Sequence, residues 1–383
     1  MAAHTSRFSV LLLGTQMELG GAQQMLLTQA AWLHSQGYPV RVAFLYDKQG
    51  LADVWRAAYP FEILNLDAWQ FGGSAIRHLP RLLLGLWRLL GLLRGVQVVE
   101  AFTQHSNLIG LPLAWLRGVP VRLASVHGAV ADAFGLLSFL HGRLINSGLV
   151  SGLVVVSEEV RQLALAQGVH PTKIRLIENG IDLALPPVTP EERQAMRAQA
   201  GATPQDLLLM AVGRLALVKN HAGLLRALAA LPEPRPRLAV LGEGELRAEL
   251  EHLAAELGLA EWVRFLGNQP AARRWLQAAD VYVQPSLSEG LSIALLEAMA
   301  SGLPIVATQV GAAGKLIGDG KHGLLVPPGD TTALSVALQR LLADPAVRSR
   351  LGRGAQQAAQ PYSAEQMCNN YARLMTELLN ETR

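Results

Sequence analysis

The feature that most constrains this chain is an alternation of short apolar runs with segments of helical period, which stops at a cluster of prolines and then starts again. Val10–Leu13, Val40–Leu45, Val96–Glu100, Val121–Ser125, Leu153–Val156 and Ile174–Ile177 read as strands. Ala22–Gln36, Pro80–Leu93 and Glu158–Gln167 read as helices between them. Apolar strands of this kind are buried on both faces, so the order predicts a parallel sheet covered by helices. Leu185-Pro186-Pro187-Val188-Thr189-Pro190 then breaks any regular element and suits an interdomain hinge. Beyond it Leu207–Val212, Arg237–Leu241, Val263–Leu266, Tyr282–Gln284 and Pro304–Thr308 read as strands. Helices are expected at Glu191–Gly201, His221–Ala230, Arg247–Leu257, Ala271–Ala279 and Ser292–Ser301, with a final pair in Thr332–Gln356 and Ser363–Leu379. The expected fold is α/β: two Rossmann-like, doubly wound domains facing each other across a cleft, with ligands outside the carboxyl ends of the strands. Residues 1–184 make the first domain and 185–360 the second, and 361–383 form a C-terminal helix packing back towards the first.

A length of 383 residues suits two cores rather than one. Charged residues are only 16% and the net charge is +3, so no concentrated basic face and no nucleic-acid partner is expected. Cys368 is the only cysteine, which excludes an internal disulfide or a thiolate metal cluster and fits a reducing cytoplasm. Phe8–Leu13 is too short for a signal segment or a membrane span. Leu79–Leu93 is rich in leucine, but Arg81 and Arg88 interrupt it and Arg94 follows, so a spanning helix is not expected. Arg77, Arg81 and Arg88 share one helical face, with Leu82, Leu83, Leu86, Leu89 and Leu90 largely elsewhere. Two readings stay open: a covering helix with a solvated basic face, or peripheral contact of helix 77–94 with an anionic membrane. The second would place the chain at the inner face of the cytoplasmic membrane.

Candidate site residues cluster where strands end. Glu289 and Gly290 follow the strand ending at Gln284 and precede a helical run that contains Glu297. A helix start there would offer free N–H groups and a positive dipole end to an anion. Were both carboxylates helical, they would lie roughly 80° apart and about 12 Å along the axis, which suits two contacts on one extended ligand. Gly20-Gly21 opens the first long helix and permits close backbone approach, although a plain tight turn needs no more. Gly213-Arg214 ends a strand and Lys219-Asn220 opens the next helix, so two cations could converge on one diphosphate. His127-Gly128 and, with less support, His105 follow strands, and either can be a structural histidine. Asn179-Gly180 is first of all a turn signal. Gly242-Glu243-Gly244 lacks the third glycine of a dinucleotide fingerprint, which argues against a dehydrogenase. No D-x-D, H-E-x-x-H, P-loop or nucleophile elbow is present, so a bound diphosphate would be neutralised by Arg, Lys and backbone dipoles.

In order, these residues resemble glycosyltransferase family 4, retaining enzymes with the GT-B fold that use nucleotide-sugars. The resemblance runs through Gly20-Gly21-Ala22, His127-Gly128, Val154–Glu158, Asn179–Asp182, Gly213-Arg214 with Lys219-Asn220, and Leu241–Gly244. It continues through Phe265-Leu266-Gly267, Glu289–Glu297, Ala300–Pro304 and Gly323–Asp330. It implies that Arg214 and Lys219 hold the donor diphosphate, Glu297 the ribose hydroxyls and Glu289 the donor sugar, with the N–H groups of Gly290 and Leu291 nearby. By the same resemblance Gly21 lets the backbone approach the phosphate, His127 contacts the sugar near the reacting carbon, and Leu266-Gly267-Asn268 line the base pocket. Gly213 and Asn179 belong with the donor-binding residues. The implied partners are a UDP-, GDP- or ADP-sugar donor and a carbohydrate or glycolipid acceptor, with no cofactor and no metal. The implied reaction is metal-independent same-face transfer with retention, in polysaccharide, lipopolysaccharide or glycolipid synthesis. Closure about the proline hinge would exclude water. Two departures stand out: Lys315 where the family usually has glutamate, and Gln23 in place of a frequent glutamate. The alternatives are a GT-B-like sugar-nucleotide epimerase, a sugar-phosphate synthase, or a silent nucleotide-sugar-binding protein.

Overall fold

The computed structural model describes residues 7–69, 75–127, 135–184, 186–269 and 272–382, and the side chains of 75–78 lie outside this description. The chain divides into two compact units: residues up to Asn179 together with those from Ala364 onward, and Gly180–Ser363.

The first unit is built on strands β1 (Val10–Met17), β2 (Val40–Asp47), β3 (Glu62–Asn65), β4 (Val98–Phe102), β5 (Val121–Val126), β6 (Gly152–Val155) and β7 (Ile174–Leu176). They form one sheet in the order β3-β2-β1-β4-β5-β6-β7, and every pair is parallel. Helices α1 (Gly21–Ser35), α2 (Ala52–Ala58), α3 (Ala75–Leu92), α4 (Gln104–Leu116), α5 (Leu136–Asn146) and α6 (Glu158–Ala166) connect them. Parallel crossovers are right-handed, so the reversal of direction after β3 sends α3 to α6 to the face opposite α1 and α2. Leu11, Leu12 and Leu13 of β1 are fully buried, as a central parallel strand requires.

The second unit repeats the plan. Its strands are β8 (Leu208–Val212), β9 (Arg237–Leu241), β10 (Val263–Gly267), β11 (Val281–Gln284), β12 (Ile305–Thr308) and β13 (Leu324–Val326), all parallel in the order β10-β9-β8-β11-β12-β13. Its helices are α7 (Pro190–Gln199), α8 (His221–Ala229), α9 (Arg247–Glu256), α10 (Ala272–Leu276), α11 (Ile293–Ala300), α12 (Ala313–Leu316), α13 (Thr331–Ala343) and α14 (Pro345–Ala359). Thr189 and Glu192 cap α7 reciprocally, with Pro190 at its first position, so the proline cluster ends by starting a helix. The last helix, α15 (Ala364–Glu381), belongs to the first unit, where it buries Met367, Cys368, Tyr371 and Met375 and packs on α1 and β5.

Several elements differ from expectation. β3, β13, α2, α4 and α5 were not legible, because the two strands span only four and three residues and α4 carries an internal Pro112. The stretch Thr332–Gln356 is two helices, since Asp344 ends α13 and its carboxylate accepts from the N–H groups of Ala346 and Val347 to start α14 at Pro345. The chain therefore closes with three helices and not a pair. Among the described residues no helix is long and apolar enough to cross a membrane.

In each sheet the strand order reverses at one place, between β1 and β4 and between β8 and β11. Loops leaving the carboxyl ends of those neighbouring strands diverge to opposite faces and leave room for a ligand. Gly213, Arg214 and Lys219 stand on the loop after β8, Glu289, Gly290 and Leu291 on the loop after β11, and Gly21 follows β1, whereas His127, Asn179, Leu266, Gly267 and Glu297 lie elsewhere.

Candidate active site

In the second unit the loop after β8 carries Gly213, Arg214 and Lys219, and the loop after β11 carries Glu289, Gly290 and Leu291. Strand adjacency brings them together across 70 residues of sequence: the Lys219 ammonium pairs with Glu289 Oε1. Ser286 Oγ donates to the same oxygen at 2.7 Å. The Glu289 side chain is 11% exposed and that of Lys219 25%, so the pair is only partly screened by water. The Lys219 stem would lie 3.5 Å from a side chain at Gly213. Arg214 stands exposed in the same loop.

Glu289 and Gly290 lie in the loop between β11 and α11, just ahead of the helix expected from Ser292. α11 begins at Ile293, and Ser292 is its cap, accepting from Leu295 N at 3.3 Å. Both residues therefore sit in the loop that precedes the cap, and only Glu297 is helical. Glu297 is buried at 6% exposure. Tyr282 of β11 is fully buried within electrostatic reach of both carboxylates, its phenol pushed well above the ordinary value by burial and then by the charges of Glu289 and Glu297.

Five residues whose part here no motif assigned hold these loops in place. Asn220 adopts a left-handed conformation (φ 52°), its Oδ1 accepting from Gly223 N at 3.2 Å and its Nδ2 donating to Pro285 O at 3.2 Å. It thus caps α8 and ties the β8 loop to the β11 loop. Gly242 and Gly244 owe nothing to a dinucleotide fingerprint: a side chain at Gly242 would stand 2.0 Å from Gly213 O, and one at Gly244 2.4 Å from Leu215 O. Gly311 (φ 52°) is equally confined, 2.3 Å from Gly290 O and 2.6 Å from Glu289 O. His221 opens α8 and is buried beside the Gly213 and Arg214 backbone. Burial and then the Lys219 charge lower its pKa to about 4, so the ring is neutral. A glycine demanded by backbone contact looks, in sequence, like any turn glycine.

Leu266 and Gly267 end β10. Gly267 (φ 68°) accepts from Gly242 N at 2.8 Å, and Gln269 Nε2 donates to Leu266 O at 2.7 Å. They border the same set of loops through β9. Lys315 stands exposed at the end of α12.

In the first unit Gly21 is the first residue of α1, exposed, after Gly20, which offers no side-chain cap. Gln23 points back instead, its Nε2 donating to Gln16 O at 3.1 Å. His127 follows β5 and stacks on Phe102 at 5.0 Å with a 10° tilt. Its Nδ1 lies 3.2 Å from Asn179 Oδ1. That oxygen can only accept, so Nδ1 carries the proton and the buried Nε2 keeps a lone pair. Burial lowers the His127 pKa to about 4, against a smaller opposing effect of Asn179, so the neutral ring is the working form. His105 lies in the first turn of α4, three residues after β4 ends at Phe102. Gly128 lies outside the described residues.

Two family models match this chain: glycosyl transferases group 1 over residues 192–358, and glycosyl transferase 4-like domain over residues 20–180. A protein of Pseudarthrobacter chlorophenolicus called D-inositol 3-phosphate glycosyltransferase is 32% identical over 280 residues, covering 69% of this chain and 66% of its own length. One of the same name from Corynebacterium glutamicum is 27% identical over 369 residues, covering 90% of this chain and 88% of its own. For several other curated relatives of that name the match spans about half of their length. Among solved structures, Anabaena Alr3699/HepE in complex with UDP-glucose superposes with a TM-score of 0.85 at 20% identity, over 97% of this chain and 100% of that one.

Proposed function

Because this chain belongs to glycosyltransferase family 4, on the GT-B fold, we propose that it moves a sugar from a nucleoside diphosphate-sugar to an acceptor hydroxyl. The observation that carries this reading is the meeting of Lys219 with Glu289 at the place where the second sheet reverses its strand order. Lys219 and the exposed Arg214 supply positive charge for a diphosphate. Glu289 offers carboxylate oxygens to sugar hydroxyls, and Glu297 does so for a ribose diol.

In the free chain Lys219 is neutralised by Glu289. A diphosphate carries more charge than one carboxylate, so it competes for the ammonium and releases Glu289 to the sugar. Bond making then runs on one face of the anomeric carbon: the acceptor oxygen bonds to it as its bond to the β-phosphate oxygen breaks, and the acceptor proton passes to that leaving oxygen. The configuration is retained. Arg214 and Lys219 stabilise the charge that develops on the leaving diphosphate, where fixed charges are worth most. In the first unit the Nε2 of His127, which has no hydrogen-bond partner among the described residues, can accept from a substrate hydroxyl without carrying charge.

UDP-glucose is the first donor to try, because a structural neighbour holds it, and the relatives' name makes a phosphorylated cyclitol the first soluble acceptor to try. A role in polysaccharide, lipopolysaccharide or glycolipid synthesis follows if a sugar polymer or lipid serves better. The test is thermal stabilisation and turnover with UDP-, GDP- and ADP-sugars, in the intact chain and in Lys219→Ala. Donor binding with turnover abolished in the variant supports the reading. Wild-type turnover in Lys219→Ala removes it.

A further inference from the structure

Nine of the sixteen exposed large apolar residues in the described chain lie on three helices, α3, α4 and α5. Single exposed leucines are ordinary, but a cluster on neighbouring helices is not. These helices cover one face of the first sheet, with α3 packed on α4 and α4 on α5. α3 exposes Leu83 at 58% and Trp87 at 71%, α4 exposes Trp115 at 53% and Leu116 at 66%, and α5 exposes Leu136 at 74% and Phe139 at 57%. On α3 Leu89 is buried, whereas Leu83 is exposed although it lies on a different side of the helix from Arg88.

Charge points the same way. Between Asp67 and Glu158 the sequence holds seven arginines, no lysine and only two acids, Glu100 and Asp132. Glu100 is buried inside the sheet. The remainder of the chain carries 26 basic and 28 acidic residues, so the excess positive charge belongs to this segment. Arg88, Arg94, Arg117 and Arg143 are exposed on or beside the three helices. Arg143 lies over the Phe139 ring at 5.7 Å.

We propose that the α3–α4–α5 face docks on an anionic lipid bilayer, with its tryptophans, phenylalanine and leucines in the headgroup region and its arginines on lipid phosphates. A helix with an apolar face and flanking arginines lies in the plane of such an interface, and arginine stems reach from apolar surface to phosphate. A protein partner would need matching acids and a fitted surface, whereas a bilayer needs only what this face has: bulk apolar contact and uncompensated positive charge.

The test is co-flotation of the full chain with vesicles of phosphatidylcholine alone and of three parts phosphatidylcholine to one part phosphatidylglycerol. Binding to the anionic vesicles at low salt is expected, weakening steeply as salt is raised. Arg88→Gln and Arg117→Gln should each weaken partitioning about fivefold. Trp87→Ser with Phe139→Ser should abolish it while circular dichroism and monomer mass stay unchanged, since both side chains are exposed. No binding to anionic vesicles at low salt overturns the proposal, as does equal binding to neutral vesicles. Concentration-dependent self-association without vesicle binding also overturns it, by assigning the face to a second copy of this chain.

Discussion

Replacing Gly311 by alanine tests how the β11 loop is held. The backbone there is left-handed (φ 52°), which costs a non-glycine residue about 1 kcal/mol or more. The new methyl would lie 2.3 Å from Gly290 O and 2.6 Å from Glu289 O, against a usual C···O contact of about 3.3 Å. Both neighbours are backbone, so relief requires the loop to shift by about 1 Å. The same Gly290 oxygen accepts from Ala312 N at 2.9 Å, so the shift also strains that bond. Strain and overpacking together should cost about 2–4 kcal/mol, or roughly 5–15 °C in the unfolding midpoint of a unit this size. A 1 Å displacement of Glu289 should lower kcat/KM for a nucleotide-sugar about 100-fold. Gly314→Ala is the control three residues on: it is helical, and its methyl would meet the flexible Gln309 side chain at ordinary contact distance, Cγ at 3.7 Å and Nε2 at 4.0 Å. It should be neutral, or stabilising by up to about 1 kcal/mol. Calorimetry and donor turnover on both variants decide the matter. A Gly311→Ala chain with native midpoint and native turnover would refute the loop argument outright.

Other outcomes follow from the same geometry. Glu289→Gln removes the charge that Lys219 and Ser286 address, and should cut transfer at least about 100-fold while far-ultraviolet circular dichroism is unchanged. Tyr282→Phe deletes a buried hydroxyl that has no hydrogen-bond partner among the described residues, so chemical denaturation should show stability unchanged or raised by about 1 kcal/mol. Glu100 is pushed up to about 7 by burial, against the opposing hydrogen bonds of Ser125 and Gln29. The native chain thus keeps a proton that the unfolded carboxyl releases near 4.5. Its stabilising contribution is full below that value and is lost as pH rises through about 7. Glu100→Gln should therefore gain in midpoint over the parent chain between about pH 5 and pH 8, and a constant difference across that range would contradict the assignment.

The architecture was legible because buried parallel strands leave a local trace. Val10–Leu13 and Leu207–Val212 are apolar without alternation, and the helices between such runs show their own period. The missing elements are those with weak traces: Glu62–Asn65 and Leu324–Val326 are too short to stand out, and Gln104–Leu116 is interrupted by Gly110 and Pro112. Asp344-Pro345 contained a helix start in plain view, but inside a long helical pattern a proline can as well be a kink.

What the amino-acid sequence determined by itself is the kind of element at each place and the ordered motifs that mark the family, since both depend on neighbours within a few residues. It also placed Lys219 and Glu289 at strand ends. That they touch was decided by tertiary structure, because the order β10-β9-β8-β11-β12-β13 sets β8 beside β11 through long-range pairing that no local period encodes. The same holds for Gly242, Gly244 and Gly311, whose lack of a side chain is required by carbonyls dozens of residues away or on a neighbouring loop. It holds too for α3, where periodicity identified an amphipathic helix but only packing against α4 and the sheet decided which leucines face water.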